Sequence, residues 1–141
     1  MRVLGIDYGR KRIGLARSDE SGLLASPLPV YTRSGRIADD LDRLVRLIGE
    51  QEVVRIVIGW PLHMDGAEGE MAGEVRALAR ELHARTGLPV ELFDERWTSI
   101  QAENVLIASD VPRRRRRNLR DGLAATLILQ GFLDREQAAG C

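Results

Sequence analysis

Residues 3–16 read Val3-Leu4-Gly5-Ile6-Asp7-Tyr8-Gly9-Arg10-Lys11-Arg12-Ile13-Gly14-Leu15-Ala16. Two apolar runs flank a short basic turn that contains glycine, so the stretch predicts two strands joined by a tight connection. Asp7 stands at the end of the first run, where a carboxylate is costly to bury without a partner. Such an acid is a candidate for metal or phosphate chemistry, and its role depends on which other groups converge on it.

The rest of the chain alternates between strand and helix patterns. Runs that are rich in apolar or β-branched residues predict strands over residues 2–7, 12–18, 23–31, 53–58 and 88–93. Apolar residues at spacings of three and four predict helices through residues 37–48, 75–82, 98–108 and about 118–136. Gly59-Trp60-Pro61 closes the fourth strand and Gly87 ends the second helix.

This order predicts an α/β fold with one five-stranded mixed sheet flanked by helices. The first three strands are joined by short turns and form an antiparallel meander. The last two strands follow helices, which favours parallel pairing beside the first strand. The C-terminal ends of strands one, four and five then share one edge, where open α/β sheets bind ligands.

Size and composition fit one globular domain that spans residues 1–141. Hydrophobic residues make up 44% of the chain, and no apolar run is long enough to span a membrane. Cys141 is the only cysteine and no signal-peptide pattern is present, so a cytoplasmic location is expected. The formal net charge of zero argues against a protein that coats nucleic acid through bulk positive charge.

Two further acids occupy unusual positions. Glu95 follows the fifth strand, and Asp121 lies early in the last helix, on the face that carries Ala125 and Ile128. Mg²⁺ prefers oxygen ligands and usually binds one or two carboxylates together with substrate phosphate. Each acid also has a structural explanation: Asp7 as a turn former, Glu95 as a partner of Arg96, and Asp121 as a charge near a helix N-terminus.

Four motifs in this order resemble the YqgF/RuvX family of RNase H-like nucleases, and the match runs along nearly the whole chain. The motifs are residues 7–16, the loop Gly59-Trp60-Pro61-Leu62-His63-Met64-Asp65-Gly66, the segment Asp94-Glu95-Arg96-Trp97-Thr98, and Asp121-Gly122-Leu123-Ala124-Ala125 after a basic stretch. Trp60 and Trp97 depart from the aliphatic residues expected there, and they leave the acids intact.

The resemblance implies an RNase H-like fold and a metal-dependent endonuclease. It assigns metal binding and catalysis to Asp7, Glu95 and Asp121, which would hold Mg²⁺ or Mn²⁺, with two ions expected. Related Holliday-junction resolvases use four acids, and Asn118 is a candidate for a fourth, neutral ligand, although helix capping would also explain it.

Basic residues flank these acids on two sides. Arg10, Lys11 and Arg12 adjoin Asp7, Arg96 follows Glu95, and a run of five arginines precedes the last helix: Arg113, Arg114, Arg115, Arg116 and Arg117. They are candidates for binding the phosphates of structured RNA or branched DNA, because arginine contacts phosphate in a bidentate manner. Solvated surface charge is the alternative explanation.

Three functions are compatible with these residues. The first is a metal-dependent endonuclease acting on structured nucleic acid. The family is associated with two substrates: the 5′ region of precursor 16S rRNA, which is preferred here, and four-way DNA junctions, whose resolution would favour a homodimer over a monomer. Asp7, Gly9 and Gly14 also resemble the phosphate hairpin of sugar and acetate kinases, but those enzymes need two lobes and this chain supplies one. A non-catalytic nucleic-acid-binding module is the third possibility, and the presence of all three acids argues against it.

Overall fold

The computed structural model describes residues 1–61, 69–94 and 113–139, and in the last range it describes side chains only from Leu123 to Ala138. Five strands and three helices fall within these ranges. In chain order they are β1 (Arg2–Tyr8), β2 (Arg12–Ser18), β3 (Ala25–Thr32), α1 (Ile37–Glu50), β4 (Val53–Trp60), α2 (Glu70–Thr86), β5 (Val90–Asp94) and α3 (Arg113–Ala139). The helix predicted over Thr98–Ala108 lies outside the described residues.

The five strands form one mixed sheet in the order β3-β2-β1-β4-β5. β1 pairs antiparallel with β2, and β2 pairs antiparallel with β3. β1 pairs parallel with β4, and β4 pairs parallel with β5. The predicted α/β class, the meander and the parallel trio are therefore confirmed, and strands one, four and five end at a common edge.

Each face of the sheet carries its own hydrophobic core. Leu4, Ile6 and Ile58 point to the face covered by α1 and α2, where they pack with Leu44 and Leu82. The alternate residues of the same strands point to the face covered by α3. The core on that face contains Val3, Val57, Ala125, Ile128, Leu129 and Phe132. This division follows from the two-residue period of strands, which sends alternate side chains to opposite faces.

Two strands begin two residues later than predicted, because their first predicted residues belong to turns, and four strands end one or two residues later than predicted. β3 begins at Ala25, since the Asp19 carboxylate accepts hydrogen bonds from the backbone N–H groups of Leu23 and Leu24 and holds both in the turn. β5 begins at Val90, since Leu88 donates its N–H to the Thr86 hydroxyl just after α2 ends.

The start of the last helix was predicted wrongly. α3 begins at Arg113, so the arginine run forms its first turns and does not precede it. Arginine has a high helix propensity, which explains why five arginines extend the helix. The end of α2 is as predicted: Gly87 takes a positive φ of 72° and caps it. Among the described residues, no helix is long and apolar enough to cross a membrane.

Candidate functional site

Asp7 lies at the C-terminal edge of β1, next to Tyr8, which ends the strand. It pairs with Gly14 of β2, and its neighbour Ile6 pairs with Ile58 of β4. Asp7 is half-buried. Its side chain points to the face covered by α3. Asp7 lies an even number of residues after Val3 in the same strand, so both side chains are on one face, and Val3 packs under α3.

The backbone of α3 rests directly on β1 two residues before Asp7. A Cβ added at Gly5 would lie 2.8 Å from the Cβ of Leu129 and 3.2 Å from the carbonyl oxygen of Ala125. Real Cβ atoms do not approach other atoms as closely as 2.8 Å, so a residue without a side chain is required here. Asp121 lies one helical turn before Ala125 in α3.

The ends of β4 and β5 complete the edge beside β1. Gly59 pairs with Phe93, and Trp60 pairs with Asp94, which is exposed. Glu95, the second predicted acid, follows Asp94 directly in the sequence and lies outside the described residues, as does Arg96. The strand carrying Asp7 and the strand that leads into Glu95 therefore end at the same edge of the sheet, and the position of Glu95 remains a prediction.

Trp60 packs on the opposite face of this edge. It contacts the core under α1 and α2, and the Arg76 guanidinium lies 5.0 Å from the centre of its ring. The buried Trp60 Nε1 has no hydrogen-bond partner in the part of the chain that the structure covers. Packing therefore accounts for this departure from the expected aliphatic residue.

The basic turn between β1 and β2 is tightly closed. The N–H of Gly9 donates to the carbonyl oxygen of Arg12 at 3.0 Å, and a Cβ at Gly9 would lie 2.6 Å from that oxygen. Arg10 and Lys11 are exposed, and Arg12 is half-buried. Arg10 lies 3.5 Å from the carboxylate of Glu70 in the first turn of α2, and both side chains are mostly in solvent.

A buried acid that the sequence did not reveal lies behind this turn. The side chain of Asp40, in the first turn of α1, is 1% exposed. Burial raises the pKa of this carboxyl, but hydrogen bonds from Ser34, Arg33 and Tyr31 outweigh burial and bring the pKa below its ordinary value. In the sequence Asp40 follows Asp39 and looks like an ordinary acid of a first helical turn, so no sequence signal distinguished it.

The remaining predicted residues can be placed only by their backbone. Asp121, Asn118 and the run Arg113–Arg117 belong to α3, and their side chains are outside the described set. Within the ranges given above, no three His, Cys, Asp or Glu residues are grouped as a metal site would require. Of the three predicted acids, Asp7 is the one whose side chain falls within those ranges.

Comparison with known proteins decides the family. The family model RuvX, described as a Holliday junction resolvase, matches residues 1–135. The chain belongs to the RuvX family. The recognition from four motifs is thereby confirmed, and the nuclease interpretation is favoured over the kinase-like one.

Curated relatives of this RuvX chain are similar along nearly their full length. One from Moorella thermoacetica is 47% identical over 135 residues and covers 96% of each chain. One from Symbiobacterium thermophilum is 46% identical over 138 residues, with 98% of this chain and 95% of that protein covered. Both carry the name "Putative pre-16S rRNA nuclease". These relatives and the family place the chain among hydrolases that act on phosphodiester bonds of nucleic acid.

Solved structures agree on the fold. Thermus thermophilus RuvC superimposes with a TM-score of 0.59 at 18% identity over 97% of each chain. The same protein in complex with a Holliday junction substrate gives a TM-score of 0.60 at 19% identity over 96% of each chain. At this level of identity the likeness concerns the fold, and the predicted RNase H-like architecture is confirmed.

Proposed function

We propose that this RuvX-family chain is a metal-dependent endonuclease that processes the 5′ end of precursor 16S rRNA at a site formed by Asp7, Glu95 and Asp121. The substrate is inferred from the names of curated relatives that are 46–47% identical over nearly the whole chain. The observation that carries the site is the close packing of α3 on β1 at Gly5.

That contact sets the level of Asp121 relative to Asp7. The C-terminal half of α3 lies near the beginning of the strands, because Gln130 accepts a hydrogen bond from the N–H of Ala25 and Glu136 pairs with Arg55, the β4 neighbour of Val3. The N-terminal half of α3 therefore extends toward the end of β1.

The two displacements from this contact are nearly equal. Asp121 precedes Ala125 by four helical residues, or about 6 Å. Asp7 follows Gly5 by two strand residues, or about 7 Å. Both steps lead to the same edge of the sheet, so we expect the two carboxylates at the same level, with Glu95 joining them from the end of β5.

The proposed donor set suits a hard divalent cation. Three carboxylates supply oxygen ligands and no sulfur or imidazole, as Mg²⁺ and Mn²⁺ prefer. When bound, two such ions would activate a water and stabilise the leaving oxygen of the phosphodiester. The chain itself would hold the carboxylates on β1, directly after β5 and on α3, and Asn118 remains a candidate for an additional ligand.

Nucleic acid is the proposed partner, bound through the basic residues on both sides of the acids. Arg10, Lys11 and Arg12 lie on the turn after Asp7, and Arg96 follows Glu95. Arg113–Arg117 occupy the first turns of α3, where the helix dipole disfavours cations and like charges repel. A bound phosphate would relieve both effects, which supports a binding role over simple solvated charge.

Four-way DNA junctions are the second candidate substrate, because the matching family model is described as a Holliday junction resolvase. Cutting two strands symmetrically would favour a homodimer over a monomer. We propose a cytoplasmic location for either activity, as expected for a chain with one cysteine.

One experiment tests both substrates. The protein is incubated with Mg²⁺ or Mn²⁺ and with labelled precursor 16S leader RNA or a labelled four-way junction, beside the variants Asp7→Asn, Glu95→Gln and Asp121→Asn. Asp42→Asn is the matched control, because Asp42 is exposed on α1. Cleavage that requires all three acids but not Asp42 supports the site. Cleavage that persists in Asp7→Asn, or none with either substrate, refutes it.

A further inference from the structure

Arg33 bonds to three consecutive carbonyl oxygens of the basic turn. Its Nη1 donates to the carbonyl oxygens of Gly9 at 3.1 Å and Arg10 at 3.2 Å. Its backbone N–H donates to the carbonyl oxygen of Lys11 at 2.9 Å. The backbone of residues 9–11 is thus attached to a single residue that follows β3 in the chain.

The guanidinium that makes these contacts is itself fixed on two other sides. Arg33 Nε donates to Asp40 Oδ2 at 3.0 Å, and the guanidinium lies 4.7 Å from the centre of the Tyr8 ring. Asp40 Oδ1 accepts hydrogen bonds from the Tyr31 hydroxyl at 2.9 Å and from the N–H and hydroxyl of Ser34 at 2.9 and 3.0 Å. A planar guanidinium with several donors can make such contacts at once, whereas an ammonium cannot.

These contacts have a consequence for charge at the proposed site. Carbonyl oxygens carry partial negative charge and would repel a phosphate that approaches the turn. Arg33 engages the three oxygens from the side of Tyr8 and Asp40, while Arg10 and Lys11 remain exposed on the same turn. A turn that is already ordered also loses less conformational entropy when it binds.

We propose that Arg33 is a positioning residue for nucleic-acid binding: it holds the Gly9–Arg12 turn in the conformation that presents its basic side chains beside Asp7. This inference rests on the proposed function, because it assumes that the turn meets substrate phosphate. Asp40, Tyr31 and Ser34 support it by holding the guanidinium in place.

A purely structural ion pair would behave differently. The attraction within a buried pair such as Arg33–Asp40 is largely offset by the cost of removing both charges from water. Removing one partner would still lower the free energy of unfolding, because it leaves the other charge buried and unpaired. A smaller folded fraction lowers the apparent kcat in proportion but leaves KM and the salt dependence of binding unchanged. A disordered turn raises KM and Kd and reduces the number of phosphates that the protein binds.

The test uses the full-length protein with Arg33→Lys and Arg33→Met. Arg85→Lys is the matched control, because Arg85 also pairs with an acid of α1, Asp42, at 2.9 Å, but lies in the last turn of α2. The basic turn lies near the opposite end of that helix, where Arg10 meets Glu70. Binding to labelled precursor 16S leader RNA is measured by anisotropy without divalent cations, over a range of salt concentrations. Amide hydrogen exchange of Gly9, whose N–H closes the turn, is measured in parallel.

We expect both Arg33 variants to bind about tenfold more weakly, with a salt slope that falls by about 0.7–0.9 for each phosphate the turn no longer binds. Gly9 exchange should accelerate while exchange in β1 and β4 stays as in the wild type, and KM should rise more than kcat falls. The Arg85→Lys control should change none of these quantities. If Arg33→Lys matches the wild type in affinity, salt slope and Gly9 exchange, the inference is overturned.

Two further outcomes separate the inference from the proposed function. If Arg33→Met does not fold, Arg33→Lys still decides. If the wild type cleaves and depends on Asp7 while the Arg33 variants bind normally, only the inference fails. If the wild type neither binds nor cleaves nucleic acid, the proposed function fails.

Discussion

Gly5 of β1 lies against Leu129 of α3 with no space for a side chain between them, since an added Cβ would lie 2.8 Å from the Leu129 Cβ. This contact fixes the distance between the helix that carries Asp121 and the strand that carries Asp7. Close helix–sheet packing at this point therefore joins the stability of the fold to the geometry of the proposed site.

We predict that Gly5→Ala lowers both stability and cleavage. The methyl group must displace Leu129 or the α3 backbone, and such overpacking costs roughly 1–3 kcal/mol. The displacement also moves Asp121 relative to Asp7, so kcat should fall even at temperatures where the variant is fully folded. Denaturant unfolding and single-turnover cleavage measure the two effects.

Gly73→Ala is the control for that prediction. Gly73 lies in α2, and nothing among the described residues stands within 4 Å of an added Cβ. Alanine should stabilise this helix by about 0.5–1 kcal/mol and leave cleavage unchanged. A Gly5→Ala protein with the stability and kcat of the wild type would contradict the role assigned to the contact.

Replacing Arg113–Arg117 with serine should weaken nucleic-acid binding and reduce its salt dependence. Each phosphate that the variant no longer binds removes about 0.7–0.9 from the slope of log K against log salt concentration. The change removes mutually repelling cations from a helix N-terminus, where the helix dipole disfavours them. The loss of these charges should therefore not lower the free energy of unfolding.

The exposed arginines Arg43 and Arg46 of α1 provide the comparison, because α1 covers the opposite face of the sheet from α3. Their replacement by serine should change the slope far less per arginine removed. Equal changes per arginine would mean that only total charge matters, and the binding role of Arg113–Arg117 would be rejected.

Glu70→Gln should strengthen binding at low salt. Glu70 lies 3.5 Å from Arg10, so its carboxylate competes with substrate phosphate for that guanidinium. The pair is exposed and worth at most about 1 kcal/mol, which limits the gain in affinity to about fivefold. Anisotropy titrations at about 50 and 200 mM salt should show the gain at the lower concentration and little at the higher one.

Glu81→Gln serves as the control, because Glu81 is an exposed acid of the same helix that pairs with Arg85 at 3.6 Å. It removes the same charge from the protein at a position away from the basic turn. Identical gains from Glu70→Gln and Glu81→Gln would show a general charge effect and exclude competition at Arg10.

Asp40→Asn should change how stability depends on pH. The pKa of Asp40 is lowered in the folded protein from an ordinary value of 3.8. A lowered pKa contributes stability that is fully present above the unfolded value and is lost as the pH falls through the folded value. Urea unfolding at a series of pH values from about 6 downward should therefore show a loss below about pH 4 that is smaller in Asp40→Asn. Parallel curves for the two proteins would rule out this contribution of Asp40.

The fold was predictable because its signals are local and periodic. The apolar runs around Asp7 and the helix-linked strands 53–58 and 88–93 were enough to predict the antiparallel meander and the parallel strands one, four and five side by side. Boundaries were less predictable where side chains decide them, as at Asp19, which holds Leu23 and Leu24 in a turn. The start of α3 was missed because a run of like charges was interpreted as a separate basic segment, whereas the helix propensity of arginine prevailed.

The sequence by itself determined the strand and helix types, the family and the identity of the candidate acids, because patterns along the chain and motif residues carry that information. Only the tertiary structure decided that the absence of a side chain at Gly5 lets α3 pack closely on β1 near Asp7. It also decided that Arg33, paired with Asp40, bonds to the backbone of the basic turn. Residues 5 and 129, like residues 9 and 33, are far apart in the chain. Their contacts arise from packing and hydrogen bonds across elements, which no local pattern encodes.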